Sequence, residues 1–107
     1  MLFEVASGQI LLAKRREFER LHREILIPNC EKAGIKVVRC LMADVGSIGK
    51  FIDIYQYSGY QEYDSKTTLL EDLLWKAGYY EEIQKCISGS ISVELMREFY
   101  SPLDHAE

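Results

Sequence analysis

The chain has 107 residues, of which 48% are hydrophobic and 28% charged, with a formal net charge of −4. That length supports one hydrophobic core, and that balance belongs to a folded domain rather than a disordered segment. The acidic excess argues against nucleic acid or an anionic membrane as partner, since both demand local positive charge.

Three cysteines, Cys30, Cys40 and Cys86, stand far apart with no CxxC pair. An odd, dispersed set is no disulfide framework, and it suits a reducing cytoplasm with buried or half-buried thiols. No basic segment followed by an apolar run opens the chain, and no apolar stretch is long enough for a membrane span. A soluble, cytoplasmic protein is expected.

Residues 2–10 start with period-two alternation and predict a strand, in which Gly8 marks a bulge or the strand's exit. From about Ala13 the period changes. Phe18, Leu21, Ile25 and Leu26 recur at helical spacing among charged residues, predicting a helix to about Ala33 with Gly34 as its stop. Pro28 removes a donor inside that helix and is expected to kink or restart it. Two strands follow, roughly 35–45 and 49–57, across a turn that holds Gly46 and Gly49. Both faces of these strands are largely apolar or aromatic, and a strand that avoids water on two sides needs cover on two sides. Ser58 and Gln61 fit a capping box. It opens a helical region to about Ile87, with Tyr63, Leu70, Leu73 or Leu74, Trp75, Tyr79 and Ile83 inward. Asp72 and Gly78 predict a break within it. Ser88-Gly89-Ser90 punctuates, and residues 91–99 return to period two before Pro102. His105 falls in a polar tail.

The order β-α-β-β-α-β with right-handed crossovers predicts a single α+β domain over residues 1–107. Its fold is the ferredoxin-like plait, a four-stranded antiparallel sheet with the helices on one face. Those helices cover one face only. A second copy is expected on the other, so that two chains pair through their sheet faces as a homodimer, a dimeric α+β barrel.

At this level the chain resembles the NIPSNAP family, within the dimeric α+β-barrel proteins that include small antibiotic-biosynthesis-type monooxygenases. Phe3-Glu4-Val5 with Lys14 and Glu17-Phe18 matches that family's opening. The hairpin from Gly46 to Ile52-Asp53-Ile54-Tyr55-Gln56-Tyr57 matches its central turn and strand, with Asp53 and Tyr55 where the family carries histidine and tryptophan. Asp72-Leu73-Leu74-Trp75 matches its Asp-x-x-Trp signal, and the stretch from Ile91 to Pro102 its closing strand. The resemblance implies the fold and the dimer. It lends no reaction of its own, beyond pointing to monooxygenase-like chemistry as one alternative.

Period two sets Asp53, Tyr55 and Tyr57 in a row on one face of their strand, with Glu4 able to join them or to lie opposite. A buried carboxylate beside phenols can act as an acid or base toward an enolisable or aromatic substrate, which makes Asp53 and Tyr57 the candidate catalytic residues. The plainer reading is that Asp53 accepts hydrogen bonds at a packed or paired face. Trp75 and Tyr79 form core or wall a ligand pocket, together with Tyr55 and Tyr57. Arg39 either pairs with an acid such as Glu4 or Asp53 or anchors a ligand carboxylate. His22 reads as a hydrogen-bonded boundary residue with a ligand-contacting alternative. No second histidine or cysteine stands at ligand spacing from it, so no metal is expected. No cofactor is expected either, with haem left open for a monooxygenase-like enzyme. An assembly module or a binder of a small apolar or aromatic ligand is the leading functional class. An RNA-recognition-like module, which shares the element order, is disfavoured by the charge and by the missing Gly-aromatic core of its motif.

Overall fold

Four period-two segments pair into one antiparallel sheet in the computed structural model, which describes residues 1–102 and leaves His105 outside the described residues. Strand β1 spans Leu2–Ile10, β2 Lys36–Met42, β3 Lys50–Tyr57 and β4 Ile87–Arg97, and the order across the sheet is β2-β3-β1-β4. Helices α1 (Arg15–Leu21) and α2 (Ile27–Lys32) connect β1 to β2, while α3 (Tyr60–Lys76) and α4 (Tyr79–Ile83) connect β3 to β4. This is the expected ferredoxin-like α+β topology. Among the described residues no helix is long and apolar enough to cross a membrane.

The pleat decides what the helices see. Along β3, Phe51, Asp53, Tyr55 and Tyr57 are buried, while Ile52, Ile54 and Gln56 are half-buried on the opposite face. Register carries this alternation to the neighbouring strands. Glu4 stands opposite Tyr55 and Ala6 opposite Asp53 on one side, with Cys40 opposite Asp53 and Met42 opposite Phe51 on the other. Leu21, Cys30, Tyr57 and Cys86 are fully buried between this face and the helix layer. Cys40 is exposed, which corrects the expectation for that thiol.

Among the described residues no helix covers the outer face. Phe3, Val5, Val38, Ile54 and Met96 line an apolar depression there beside Phe99, which is 98% exposed. The β2–β3 pairing shifts between Val37 and Arg39, so Val38 is the extra residue of a bulge. Val37 packs against the core while Val38 joins the outer depression.

The first helical region restarts at Pro28 as expected, resuming as α2 at Ile27 with the proline in its first turn. Just before it the helix widens into a π turn over His22–Leu26, in which the Ile27 N–H donates to the His22 carbonyl. Without an N–H on Pro28 the Glu24 carbonyl loses its usual donor, and the wider turn lets the chain pass the proline ring. The Asn29 side chain donates to the Ile25 carbonyl at 2.8 Å and ties the turn down. The second helical region breaks at Gly78, whose φ of +72° is left-handed. Two expectations are corrected. The helix α3 starts after Gly59 with no side-chain cap, because the Ser58 hydroxyl donates to Glu62. Ser88-Gly89-Ser90 falls inside β4 rather than before it, because Ile87 and Ser88 already pair with Ile10 and Gln9, and it punctuates the strand as a bulge in which Gly89 takes a φ of +80°.

Gly8 sits where the β1–β4 register shifts, and a Cβ there would lie 3.0 Å from the Phe51 ring. Gly8→Val is expected to lose about 1–3 kcal/mol through overpacking against Phe51. Urea denaturation checks this, and an unchanged midpoint would contradict the packing described.

Candidate functional site

The widened turn delivers His22 to the sheet. Its Nε2 lies 2.7 Å from Asp53 Oδ2, and its Nδ1 lies 3.2 Å from the Phe18 carbonyl oxygen. Both residues are largely buried, at 9% and 4% exposure. The Tyr55 hydroxyl reaches the same Asp53 oxygen at a long 3.5 Å. From the neighbouring strand Cys40 completes the group, so that one donor atom each from His22, Cys40 and Asp53 falls within 4.8 Å of the others. Partial burial, then the Asp53 carboxylate it bonds, push the Cys40 thiol up to about 12.

These three side chains line a cleft of about 270 Å³ between the π turn and the β2–β3 pair. Phe18, Ile27, Leu41 and Met42 give it apolar walls, with Glu19 and Arg23 at its rim. The Phe18 ring packs on His22 at 4.4 Å and on Phe51 at 4.8 Å between centroids, which holds the imidazole edge against the strand.

A second group lies deeper. The Tyr57 hydroxyl donates to Glu4 Oε1 at 3.2 Å, and the Tyr57 and Tyr63 rings meet edge to face at 5.1 Å. Burial lifts the Glu4 carboxyl above the usual range, a shift held back by hydrogen bonds from Tyr57 and Tyr63. Burial also raises the phenols of Tyr55, Tyr57 and Tyr79, with nearby carboxylates adding to it. Tyr57 is 1% exposed and does not line the His22–Asp53 cleft.

The predicted row on β3 is thus present, but it divides between two groups. Asp53 faces the cleft, Tyr55 backs it, and Tyr57 belongs to the Glu4 group. Tyr79 is core. Trp75 is 63% exposed and stacks on Tyr80 at 4.8 Å, so it neither fills the core nor walls the cleft. Arg39 stands opposite Ile54 on the outer face, exposed, and donates to the Val38 carbonyl at 2.7 Å. It pairs with neither Glu4 nor Asp53, because the β2 bulge turns it away from them. Sequence reasoning missed Cys40, Phe18 and Met42 as cleft residues. Cross-strand alternation alone could have set Cys40 beside Asp53, had the bulge been placed.

No protein-family model and no curated protein matches the chain. Solved structures do match its fold. An uncharacterized NIPSNAP domain protein from Burkholderia xenovorans superposes with a TM-score of 0.78 at 17% identity, over 92% of this chain and 94% of that one. A NIPSNAP family protein from Agrobacterium tumefaciens gives 0.77 at 22% identity, over 95% and 97%. A putative antibiotic biosynthesis monooxygenase from Nitrosomonas europaea gives 0.72 at 9% identity, over 94% and 100%. Solved structures carrying the NIPSNAP name thus share the fold that the sequence resemblance implied.

The raised Glu4 carboxyl has a consequence for stability. The folded chain holds that proton more tightly than the unfolded chain does. The stabilisation is full below the unfolded carboxyl's range and is lost as pH rises through the folded value. Glu4→Gln keeps an uncharged acceptor for the Tyr57 hydroxyl. Its melting temperature is expected to equal or exceed that of the parent at neutral pH, with a flatter profile between the acid range and neutrality. A variant that melts lower at neutral pH would contradict the assignment.

Proposed function

We propose that this chain acts as a homodimer that holds a small apolar or aromatic ligand in the cleft between the π turn and β2–β3. The ligand's one polar group sits against the His22–Asp53 pair. The observation that carries this reading is the contrast within the cleft, where apolar walls from Phe18, Ile27, Leu41 and Met42 surround a floor of His22, Asp53 and Cys40. Few convergent polar groups in an apolar cleft mark a binding site, and a cleft of about 270 Å³ suits one ring rather than a larger molecule. Of the ligand contacts expected from sequence, His22 stays in this reading, joined by Asp53. Tyr55 supports the floor from behind, while Tyr57, Tyr79, Trp75 and Arg39 drop out.

The second reading is a monooxygenase-like enzyme acting on a small aromatic or enolisable substrate. In it Asp53, oriented by His22, takes a proton from the substrate, and the resulting anion supplies the electrons that reduce oxygen, one oxygen atom entering the product and the other leaving as water. The buried pair at 2.7 Å and the fold shared with a putative antibiotic biosynthesis monooxygenase favour it. A haem is bulkier than this cleft, so the reading is carried without one.

The dimer rests on the bare outer face, whose apolar depression would be covered by the same face of a second copy. Outer β1 and β3 offer Phe3, Val5, Ile52 and Ile54, one aromatic among aliphatics, which suits packing better than base stacking. Its three free thiols suit a reducing compartment, and the cytoplasm is the proposed location.

Two measurements test these readings. Sedimentation equilibrium is expected to show a dimer for the parent and a folded monomer for Val38→Asp, whereas Val37→Asp, aimed at the core, is expected to unfold the chain. A monomeric parent at micromolar concentration would overturn the dimer. Phenol-sized fluorescent probes are expected to bind the parent, and Met42→Trp, which fills the cleft, is expected to weaken them at least tenfold. Equal binding to both proteins would remove the cleft as the site.

A further inference from the structure

We infer that His22, Cys40 and Asp53 form a site for a borderline divalent cation of the zinc class, with its fourth position open to the cleft. This goes beyond the ligand reading and does not need it. The donors are a nitrogen, a sulfur and an oxygen from the π turn, β2 and β3, all lining one cleft that an ion can enter. Three protein donors with one free position is the arrangement of reactive rather than structural zinc.

Two details of the geometry favour the ion. First, both nitrogens of His22 face acceptor oxygens, Phe18 carbonyl oxygen at 3.2 Å and Asp53 Oδ2 at 2.7 Å. With an ion bound, Nδ1–H would donate to the Phe18 carbonyl, and Nε2, which otherwise bonds Asp53, would turn its lone pair to the ion between Asp53 and Cys40. A main-chain carbonyl on the far nitrogen is how metal-binding histidines are held in place. A cation between Nε2, Oδ2 and Sγ satisfies all three at once.

Second, the spacing is near what coordination demands. Bonds of roughly 2.0–2.3 Å in a tetrahedron set donor atoms about 3.3–3.8 Å apart. The nitrogen–oxygen pair at 2.7 Å must open slightly, and the widest separation, within 4.8 Å, must close by about the same amount. Side-chain rotation supplies such shifts without moving the sheet. Cys40 and Asp53 are register partners on adjacent strands, so the backbone already holds two of the three donors side by side. Mixed nitrogen, sulfur and oxygen donors favour zinc or cobalt over calcium or magnesium, which take oxygen alone.

The test adds cobalt(II) to chelator-treated protein. A near-ultraviolet thiolate-to-cobalt band, with visible bands of tetrahedral cobalt, is expected to saturate at one ion per chain and to disappear when zinc is added. Cys40→Ser is expected to lose the thiolate band, and His22→Gln to weaken affinity by more than the roughly 10–100-fold that an outer partner's loss costs. Should either variant fail to fold, zinc protection of Cys40 against alkylation, read by mass spectrometry on the parent, decides. No thiolate band in the parent, a band that persists in Cys40→Ser, or alkylation of Cys40 unaffected by zinc would each overturn the site. Probe binding by metal-free protein is read separately, so either proposal can fail without the other.

Discussion

One short hydrogen bond organises the working half of this molecule. His22 Nε2 meets Asp53 Oδ2 at 2.7 Å across 31 positions of sequence, joining the helix layer to the middle of β3. A buried carboxylate without a partner is costly, and so is a buried imidazole with neither nitrogen bonded. Their bond is the shortest contact either side chain makes there, and the Phe18 carbonyl on one side and Tyr55 on the other add to it. The π turn carries His22 to the sheet, and it ends just before Pro28, which has no N–H to offer the Glu24 carbonyl.

The other governing constraint is asymmetry of cover. Tyr57, Leu21 and Cys30 fill the space under the helices, while Phe3, Val5, Val38 and Ile54 face outward into a depression edged by Phe99 and Tyr100, with no helix above them among the described residues. The two faces of the sheet therefore have different tasks. One packs a core and carries the cleft at the β2 side, and the other presents apolar surface. Asp53 belongs to the first face, which separates the chemistry of the cleft from whatever covers the second.

Much of the fold was legible because it depends on periodicity. Alternation at Phe51, Asp53, Tyr55 and Tyr57 placed those four side chains on one face, and the element order specified the sheet. The site was legible only in part. Sequence could set Asp53 on a face, but not say that the face belonged to the helices or that His22 would meet it, because that contact depends on how far a π turn rotates the helix. The bulge at Val38 was equally hidden. It reverses the facing of Arg39 and Cys40 relative to simple alternation, turning the arginine outward and the thiol toward Asp53. Trp75 failed for a different reason. Its helical spacing marked it as inward, yet the helix ends at Gly78 just after it, and the indole lies on the surface against Tyr80.

The most direct test of the His22–Asp53 bond is a double-mutant cycle read by urea denaturation of the parent, His22→Phe, Asp53→Ala and the double variant. Phenylalanine retains the ring against Phe18 while removing both nitrogens. A genuine bond between these residues predicts a coupling energy of about 0.5–3 kcal/mol. Additivity within roughly 0.3–0.5 kcal/mol would mean the two side chains do not stabilise one another, and the cleft would lose its organising pair.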